Sequence, residues 1–193
     1  MPNLLTNTSA KMKKTATLNK ARLYEFNLPA ISSCPWAKDC IKYCYADKGR
    51  YLFSNVQNKY KYNYELTKNT IEFTAQIQIE LKKKRVEYVR IHSSGDFYSM
   101  KYLKTWIEIA KNNPNIIFYG YTKSVPLFQS ANIPQNMIFC FSTGGKMDSR
   151  IKSNQKTAVI FNSLKDLKKA RFTDCTVNDM KMITTNRVGL VYH

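Results

Sequence analysis

Short runs of β-branched and aromatic residues recur along this chain, and segments of helical character separate them. The runs lack a clean alternation of apolar and polar residues, which is typical of strands that are buried on both faces of a parallel sheet. Strands that alternate with helices predict an α/β fold with a mostly parallel sheet. The runs are VEYVRI (86–91), NIIFYGYTKS (115–124), MIFCFSTGG (137–145) and TAVIF (157–161).

The flanking segments complete this pattern. ARLYEFNLP (21–29) alternates and predicts a first strand, and RVGLVYH (187–193) predicts a last one. Residues 55–84 also alternate in part, but they contain no Gly or Pro, and Ser54 suits a helix N-cap, so we predict a helix. Another helix is predicted to begin after Ser99 as its N-cap.

With 193 residues the chain is long enough for one domain with a hydrophobic core. Residues 1–20 are polar and without a period, so we predict an irregular N-terminal arm before a single α/β domain over 21–193. No apolar run is long enough to span a membrane, and the N-terminus does not resemble a secretion signal. We therefore expect a cytoplasmic protein without a membrane partner.

Three of the five cysteines lie in one loop, residues 34–44, with the sequence CPWAKDCIKYC. In a reducing cytoplasm, clustered cysteines are more often metal ligands or catalytic groups than disulfides. The loop therefore predicts either a metal site or a reactive thiol, although buried thiols without a ligand are also compatible with it. The three cysteines are Cys34, Cys40 and Cys44.

Two kinds of metal site remain open. A structural zinc ion takes four nitrogen or sulfur ligands, so His92, Cys140 or Cys175 would have to complete the set. An iron–sulfur cluster is normally held by four thiolates, and three would leave one iron with an open coordination position. His92 could instead carry a proton or pack against the core, and packing is the role that we expect first. Cys140 lies within an apolar strand and is expected in the core.

Polar and small residues follow four successive predicted strands. Because the carboxyl ends of parallel strands lie at one edge of a sheet, these residues should converge there, where α/β proteins place their active sites. The sequence therefore predicts a site at this edge, which we call the rim. The segments are the cysteine loop after Leu28, His92 to Asp96 after Ile91, Thr122 to Ser124 after Tyr121, and Ser142 to Gly145 after Phe141.

The order CP…C…CYADKGRY, VRIHSSGDFYS and FYGYTKS resembles the phage gene product eighty-eight family, over about Tyr24 to Gly145. The layout is also similar to the radical S-adenosylmethionine (SAM) superfamily, although the spacing here is Cx5Cx3C in place of CxxxCxxC. This second resemblance implies a partial (β/α) barrel with a three-cysteine loop after the first strand. It also implies a [4Fe–4S] cluster whose open iron binds and cleaves SAM. The resemblance does not name the substrate of the reaction.

The resemblance also assigns roles to individual residues. Cys34, Cys40 and Cys44 would hold three irons. Asp96 would accept hydrogen bonds from the amino group of SAM, and Lys123 would pair with a carboxylate. Tyr43 would pack beside the adenine, and serine and threonine hydroxyls would bind the ribose. The implied cofactor-binding residues are Tyr43, Ser93, Ser94, Gly95, Asp96, Lys123, Ser142 and Thr143.

The net charge of +18 favours a polyanionic partner such as nucleic acid, although the lysines are spread along the chain. Three hypotheses follow. The first is a radical-SAM-like iron–sulfur enzyme of a phage, which would act in the host cytoplasm. The second is a non-catalytic, metal-binding basic protein, with iron–sulfur or zinc, that binds nucleic acid or a host protein during infection. The third is an enzyme that modifies nucleic acid by radical chemistry.

Overall fold

One sheet of seven strands forms the centre of the protein, and every pairing within it is parallel. The computed structural model describes residues 2–192. The strands are β1 (Leu23–Phe26), β2 (Tyr88–Ile91), β3 (Ile117–Thr122), β4 (Met137–Ser142), β5 (Thr157–Phe161), β6 (Thr173–Asp174) and β7 (Arg187–Val191). The sheet order is β1-β2-β3-β4-β5-β7-β6, so the first five strands lie side by side in chain order.

Helices connect these strands, as a partial (β/α) barrel requires. They are α1 (Ala10–Asn19), α2 (Ser54–Lys68), α3 (Thr70–Lys83), α4 (Met100–Lys111), α5 (Val125–Gln129) and α6 (Leu164–Lys169). The α/β class and the partial-barrel arrangement predicted from the sequence are confirmed. All carboxyl ends of the strands therefore lie at the same edge of the sheet.

The two faces of the sheet carry separate cores. On one face Phe26 of β1 packs against Phe73 of α3 and Trp106 of α4, with ring centroids 5.3 and 5.4 Å apart. On the other face Leu23 and Tyr119 belong to a cluster that includes residues of α1 and of the 3-10 turn Asp179–Ile183. Both faces are thus covered, which explains the continuous apolar character of the strands.

The N-terminal segment differs from the irregular arm predicted over residues 1–20. Residues 10–19 form α1, whose N-cap Ser9 accepts a hydrogen bond from the Met12 N–H. The helix is largely polar, and its buried residues are only Met12 and Thr15. So narrow a buried stripe leaves almost no periodic signal in the sequence, which is why the prediction was wrong here.

The residues before α1 are also ordered by contacts with the domain. Leu4 and Leu5 are buried, and their N–H groups donate to the Glu80 carboxylate at 2.5 and 3.0 Å. Thr6 pairs with Glu25 in an antiparallel bridge beside β1. The segment therefore covers the outer edge of the first strand.

Residues 55–84 are helical as predicted, but they form two helices that meet at Asn69. The Asn69 side chain accepts a hydrogen bond from the Glu72 N–H and so begins α3 as its N-cap. The alternating apolar pattern of α3, which is typical of a strand, includes two residues that do not face the core, since Ile71 and Ile79 are 83% and 66% exposed. Its buried apolar residues recur every four positions, as a helix requires: Phe73, Ile77 and Leu81.

The capping serines give a first testable prediction. Ser99 caps α4 by accepting a hydrogen bond from the Tyr102 N–H. At the start of α2 the N-cap is Phe53, with no side-chain capping bond, and Ser54, which suits an N-cap, is instead the first helical residue. We expect Ser99→Ala to lower the free energy of unfolding by about 1 kcal/mol. Ser54→Ala, the matched control, should change it by less than about 0.5 kcal/mol. Urea unfolding of both variants measures this, and equal effects would contradict the assignment of the cap.

Candidate functional site

The ends of β1 and β2 are joined by hydrogen bonds that centre on Asn27. Its Oδ1 accepts from the N–H groups of Ser93 and Ser94 at 2.6 and 3.0 Å. The Leu28 N–H donates to the Ser94 carbonyl at 2.9 Å, and the Ser94 hydroxyl donates to the Leu28 carbonyl at 2.8 Å. The chain directly after β1 therefore meets the second segment of the predicted rim, and Ser94 is used in holding the two together. The Ser93 side chain stays partly exposed.

Asp96 links the end of β2 to the end of β3. Its Oδ1 accepts hydrogen bonds from the Phe97 N–H and the Thr122 hydroxyl at 2.7 and 2.6 Å. Its Oδ2 accepts from the Lys123 N–H at 2.7 Å. Burial raises the pKa of this carboxyl, and the three hydrogen bonds oppose that rise. Because each carboxylate oxygen has two lone pairs, Oδ2 keeps capacity for one more donor.

Gly95 allows the turn between these residues. Its φ is +88°, and a Cβ placed there would lie 2.6 Å from both the Leu28 Cβ and the Ser33 Oγ. A larger residue would therefore be strained and would separate the first two strand ends. Its role in this structure is conformational.

Lys123 links the end of β3 to the end of β4. Its Nζ donates to the Ser142 Oγ and the Thr143 carbonyl at 2.8 Å each, and lies 3.2 Å from the Ser142 carbonyl. An ammonium group has three protons, and three oxygen atoms surround this one. The Thr143 hydroxyl in turn donates to the Ala158 carbonyl at 3.3 Å. The third and fourth segments of the predicted rim thus also meet.

The cysteine loop lies against the turn that follows β4. Ala37 forms an antiparallel bridge with Gly145, and the Asp39 N–H donates to the Gly144 carbonyl at 3.1 Å. The loop continues as a 3-10 turn over Asp39–Tyr43. It therefore lies over the carboxyl ends of the strands, at the position where the sequence predicted a site.

The three thiols of this loop are free and half-buried. Burial raises the pKa of Cys34 to about 12, and the charges of Asp96, Cys44 and Cys40 add to this rise. Burial likewise raises the pKa of Cys44, and Cys40 adds to it. Burial therefore favours the neutral thiol form of Cys34 and Cys44.

The loop is not a preformed metal cage. Among residues 2–192, no group of three or more His, Cys, Asp or Glu side chains is already arranged to hold a metal ion. The donor set still fits a thiolate-bound metal, since three sulfur atoms lie on one exposed loop. A metal would have to displace the thiol protons and draw the three sulfur atoms together.

The aromatic residues of the loop face outwards. Tyr43 is 38% exposed, and its ring meets the edge of Tyr192 at a centroid distance of 6.2 Å. Tyr45, the residue after Cys44, donates its hydroxyl to the Ser93 carbonyl. This bond ties the end of the cysteine loop to the end of β2.

His92 and the two remaining cysteines are buried in the protein. The His92 Nε2 is 2.8 Å from the Tyr102 hydroxyl, and its ring packs edge-on against Phe97 at 4.9 Å. Burial, together with the charge of Arg90, lowers its pKa well below the usual range, so the ring is neutral. The packing role expected first for His92 agrees with these contacts. Cys140 and Cys175 are fully buried, as expected for Cys140.

Sequence reasoning missed a charged cluster inside the barrel. Arg90 of β2 and Asp179 are buried and paired at 2.6 Å, and Lys11 of α1 reaches the same carboxylate at 2.9 Å. Glu25 of β1 lies on the same level as Arg90 and is 3% exposed, and its Oε2 has no hydrogen-bond partner among the described residues. The sequence offered one signal for this cluster, because Glu25 and Arg90 are charged residues inside strands that are predicted to be buried.

Comparison with known proteins establishes the relationship of the chain. A family model described as Gene product 88 matches residues 3–190. The chain belongs to the gene product 88 family. Two curated relatives, the Gene 88 proteins of the Mycobacterium phages L5 and D29, are 30% and 29% identical to it over 102 residues.

The match to these relatives is partial. It covers 47% of this chain and 43% or 42% of the two phage proteins, less than half of their length. No solved structure matches this member of the gene product 88 family. Within residues 2–192, no helix has the length and apolar character that a membrane span requires.

Proposed function

We propose that this member of the gene product 88 family binds a [4Fe–4S] cluster through Cys34, Cys40 and Cys44 and acts on SAM as radical SAM enzymes do. The observation that carries the proposal is the position of the cysteine loop over the carboxyl ends of a parallel sheet. The loop bridges to Gly145 after β4 and, through Tyr45, to Ser93 after β2. Active sites of α/β proteins lie at this edge.

Metal binding at this loop would have to overcome the protonation of the thiols. Burial raises the pKa of Cys34 to about 12, so without a metal it stays protonated at neutral pH. The positive charge of a metal favours the thiolate and would reverse this balance, which couples binding to proton release. A cluster held by Cys34, Cys40 and Cys44 would leave one iron with an open coordination position, the position at which radical SAM enzymes bind SAM.

The rim residues supply complementary groups for SAM. We propose that Asp96 Oδ2 binds the ammonium group of SAM. This oxygen accepts a single hydrogen bond in the structure, so it can accept another. The exposed ring of Tyr43 offers a face for the adenine. Ser93 and Thr143 offer partly exposed polar side chains for the remaining polar groups.

Three of the rim residues have a supporting role in this proposal. Lys123 is surrounded by oxygen acceptors, so we assign to it the positioning of Ser142 and Thr143 rather than a carboxylate of the ligand. Ser94 and Gly95 shape the turn after β2. Their substitution would disturb the site by moving the strand ends.

The metal content of the protein tests the first part of the proposal. Protein purified without oxygen and reconstituted with iron and sulfide should contain about four irons and about four sulfides per chain. Zinc should be absent from the same sample. A folded protein that contains zinc alone, or no metal, would contradict the proposal.

One observation favours a different function. The net charge of +18 is suited to a non-catalytic, metal-binding protein that binds nucleic acid or an acidic host protein. Zinc in the cysteine loop, together with nucleic-acid binding that weakens steeply as salt rises, would support this function over the enzymatic one.

A further inference from the structure

We infer that residues 38–53 form a surface that binds single-stranded nucleic acid at the entrance of the candidate site. The inference deepens the proposed function, on which it rests, by naming the substrate class as a nucleic acid strand with unpaired bases. We call residues 38–53 the entrance segment. It includes the second half of the cysteine loop and the 3-10 turns Tyr45–Asp47 and Gly49–Leu52.

Exposed aromatic rings are concentrated at this segment. Among residues 2–192, four aromatic side chains are exposed, and three of them, Tyr43, Tyr45 and Phe53, belong to the entrance segment. The fourth, Tyr192, packs against the ring of Tyr43. Exposing large aromatic faces is unfavourable in water, so their gathering at one place marks a binding surface.

The same segment carries positive charge. Four exposed basic residues lie among the rings in the sequence, against two acidic ones, Asp39 and Asp47. Basic groups that track phosphates and rings on which bases stack are the two components of single-strand binding surfaces. Bases within a duplex are already stacked and offer no free face, which favours a single strand. The basic residues are Lys38, Lys42, Lys48 and Arg50.

The rings are fixed to the rim. Tyr45 is 60% exposed, yet its hydroxyl donates to the carbonyl of Ser93 at the end of β2. Its ring contacts Tyr51 edge-on at 5.7 Å, and Tyr51 lies 6.4 Å from the buried ring of Tyr60. This row of rings holds Tyr45 in place, so a base that stacks on it would lie beside the rim residues.

A matched pair of charge variants tests the inference. Lys42→Gln with Lys48→Gln removes two charges at the entrance segment, and Lys82→Gln with Lys83→Gln removes two exposed charges from α3. Binding of a labelled oligonucleotide of about 20 nucleotides is followed by fluorescence anisotropy over a range of salt concentrations. We expect the first pair to reduce the slope of log affinity against log salt by roughly 1.4, and the α3 pair to leave it unchanged.

Aromatic variants test the stacking part. We expect Tyr45→Leu or Phe53→Leu to weaken single-strand binding about 5- to 150-fold each. Phe53→Tyr, which keeps the ring, and Ile79→Ser, which removes an exposed aliphatic side chain from α3, should keep the affinity within about twofold. Circular dichroism of each variant verifies that it is folded.

The outcomes separate this inference from the proposed function. Absence of oligonucleotide binding, equal losses in the entrance and α3 variants, or tighter binding to a duplex than to a single strand would overturn the inference. None of these results would decide whether the cluster forms, which the iron and sulfide content tests separately. Conversely, binding that depends on the entrance segment in a protein without iron would support the surface and contradict the cluster.

Discussion

Cys34→Ala, Cys40→Ala and Cys44→Ala are each expected to lose most of the iron and sulfide that the unaltered protein takes up. Removing one of three thiolates leaves two, which is too few to hold a four-iron cluster. The proposed cluster has only these three protein ligands, because Cys140 and Cys175 are fully buried in the core. Iron and sulfide analysis of the reconstituted variants, with the visible absorption of the cluster, measures the loss.

The buried cysteines provide the matched control. Cys140→Ala and Cys175→Ala remove a thiol of the same chemistry from the buried core, and they should keep the full iron content. Cys140→Ala also tests folding, since it shortens a fully buried side chain. Iron that persists in all three loop variants, or that is lost equally in the core variants, would contradict the ligand assignment.

Asp179→Ala is expected to lower the free energy of unfolding by about 3–5 kcal/mol, because it leaves the buried charge of Arg90 without its partner. The Arg90 Nε and the Asp179 Oδ2 are 2.6 Å apart, and the Asp179 side chain is fully buried. Tyr121 donates its hydroxyl to the same carboxylate at 3.2 Å. Urea unfolding at neutral pH measures the loss.

The same carboxylate predicts a dependence of stability on pH. Burial raises the pKa of Asp179, but the charges of Lys11 and Arg90 outweigh it and hold the pKa at about 2. Since the value in the unfolded chain is about 3.9, the ionised group stabilises the fold above that pH. The contribution, about 2 to 3 kcal/mol, is lost as the pH falls from about 4 through about 2. Asp179→Ala should not show this part of the acid-induced loss of stability.

An exposed ion pair serves as the control. Glu65 and Lys68 are 2.7 Å apart on α2, but their side chains are 66% and 51% exposed. Glu65→Ala should therefore lower the free energy of unfolding by less than about 1 kcal/mol. Similar losses for Glu65→Ala and Asp179→Ala would contradict the role assigned to burial.

Much of the fold and the position of the site could be predicted because they depend on local patterns. The run at 86–91, which contains β2, is visible in its β-branched residues, and the order of strands and helices determines which ends share an edge. The convergence of Asp96, Lys123 and Ser142 follows from that topology, and the hydrogen bonds among them bear it out. What those side chains bind stays a prediction.

The missed features depend on contacts between distant residues. Arg90 meets Asp179 across 89 positions, and Asn27 meets Ser93 across 66, and neither pairing leaves a pattern in the sequence. Helix α1 was missed because it presents only Met12 and Thr15 to the core. The break at Asn69 depends on a single capping bond to Glu72.

Whether the cysteine loop and the rim bind SAM together can be measured by the EPR spectrum of the reduced, iron-loaded protein with and without SAM. We expect a cluster signal that changes when SAM is added, because the proposed cluster would have an open iron at the edge of the sheet where Asp96 and the other rim residues lie. Cys140→Ala should show the same change. A cluster signal that SAM does not alter would contradict the claim that the cysteine loop and the rim form one SAM-binding site.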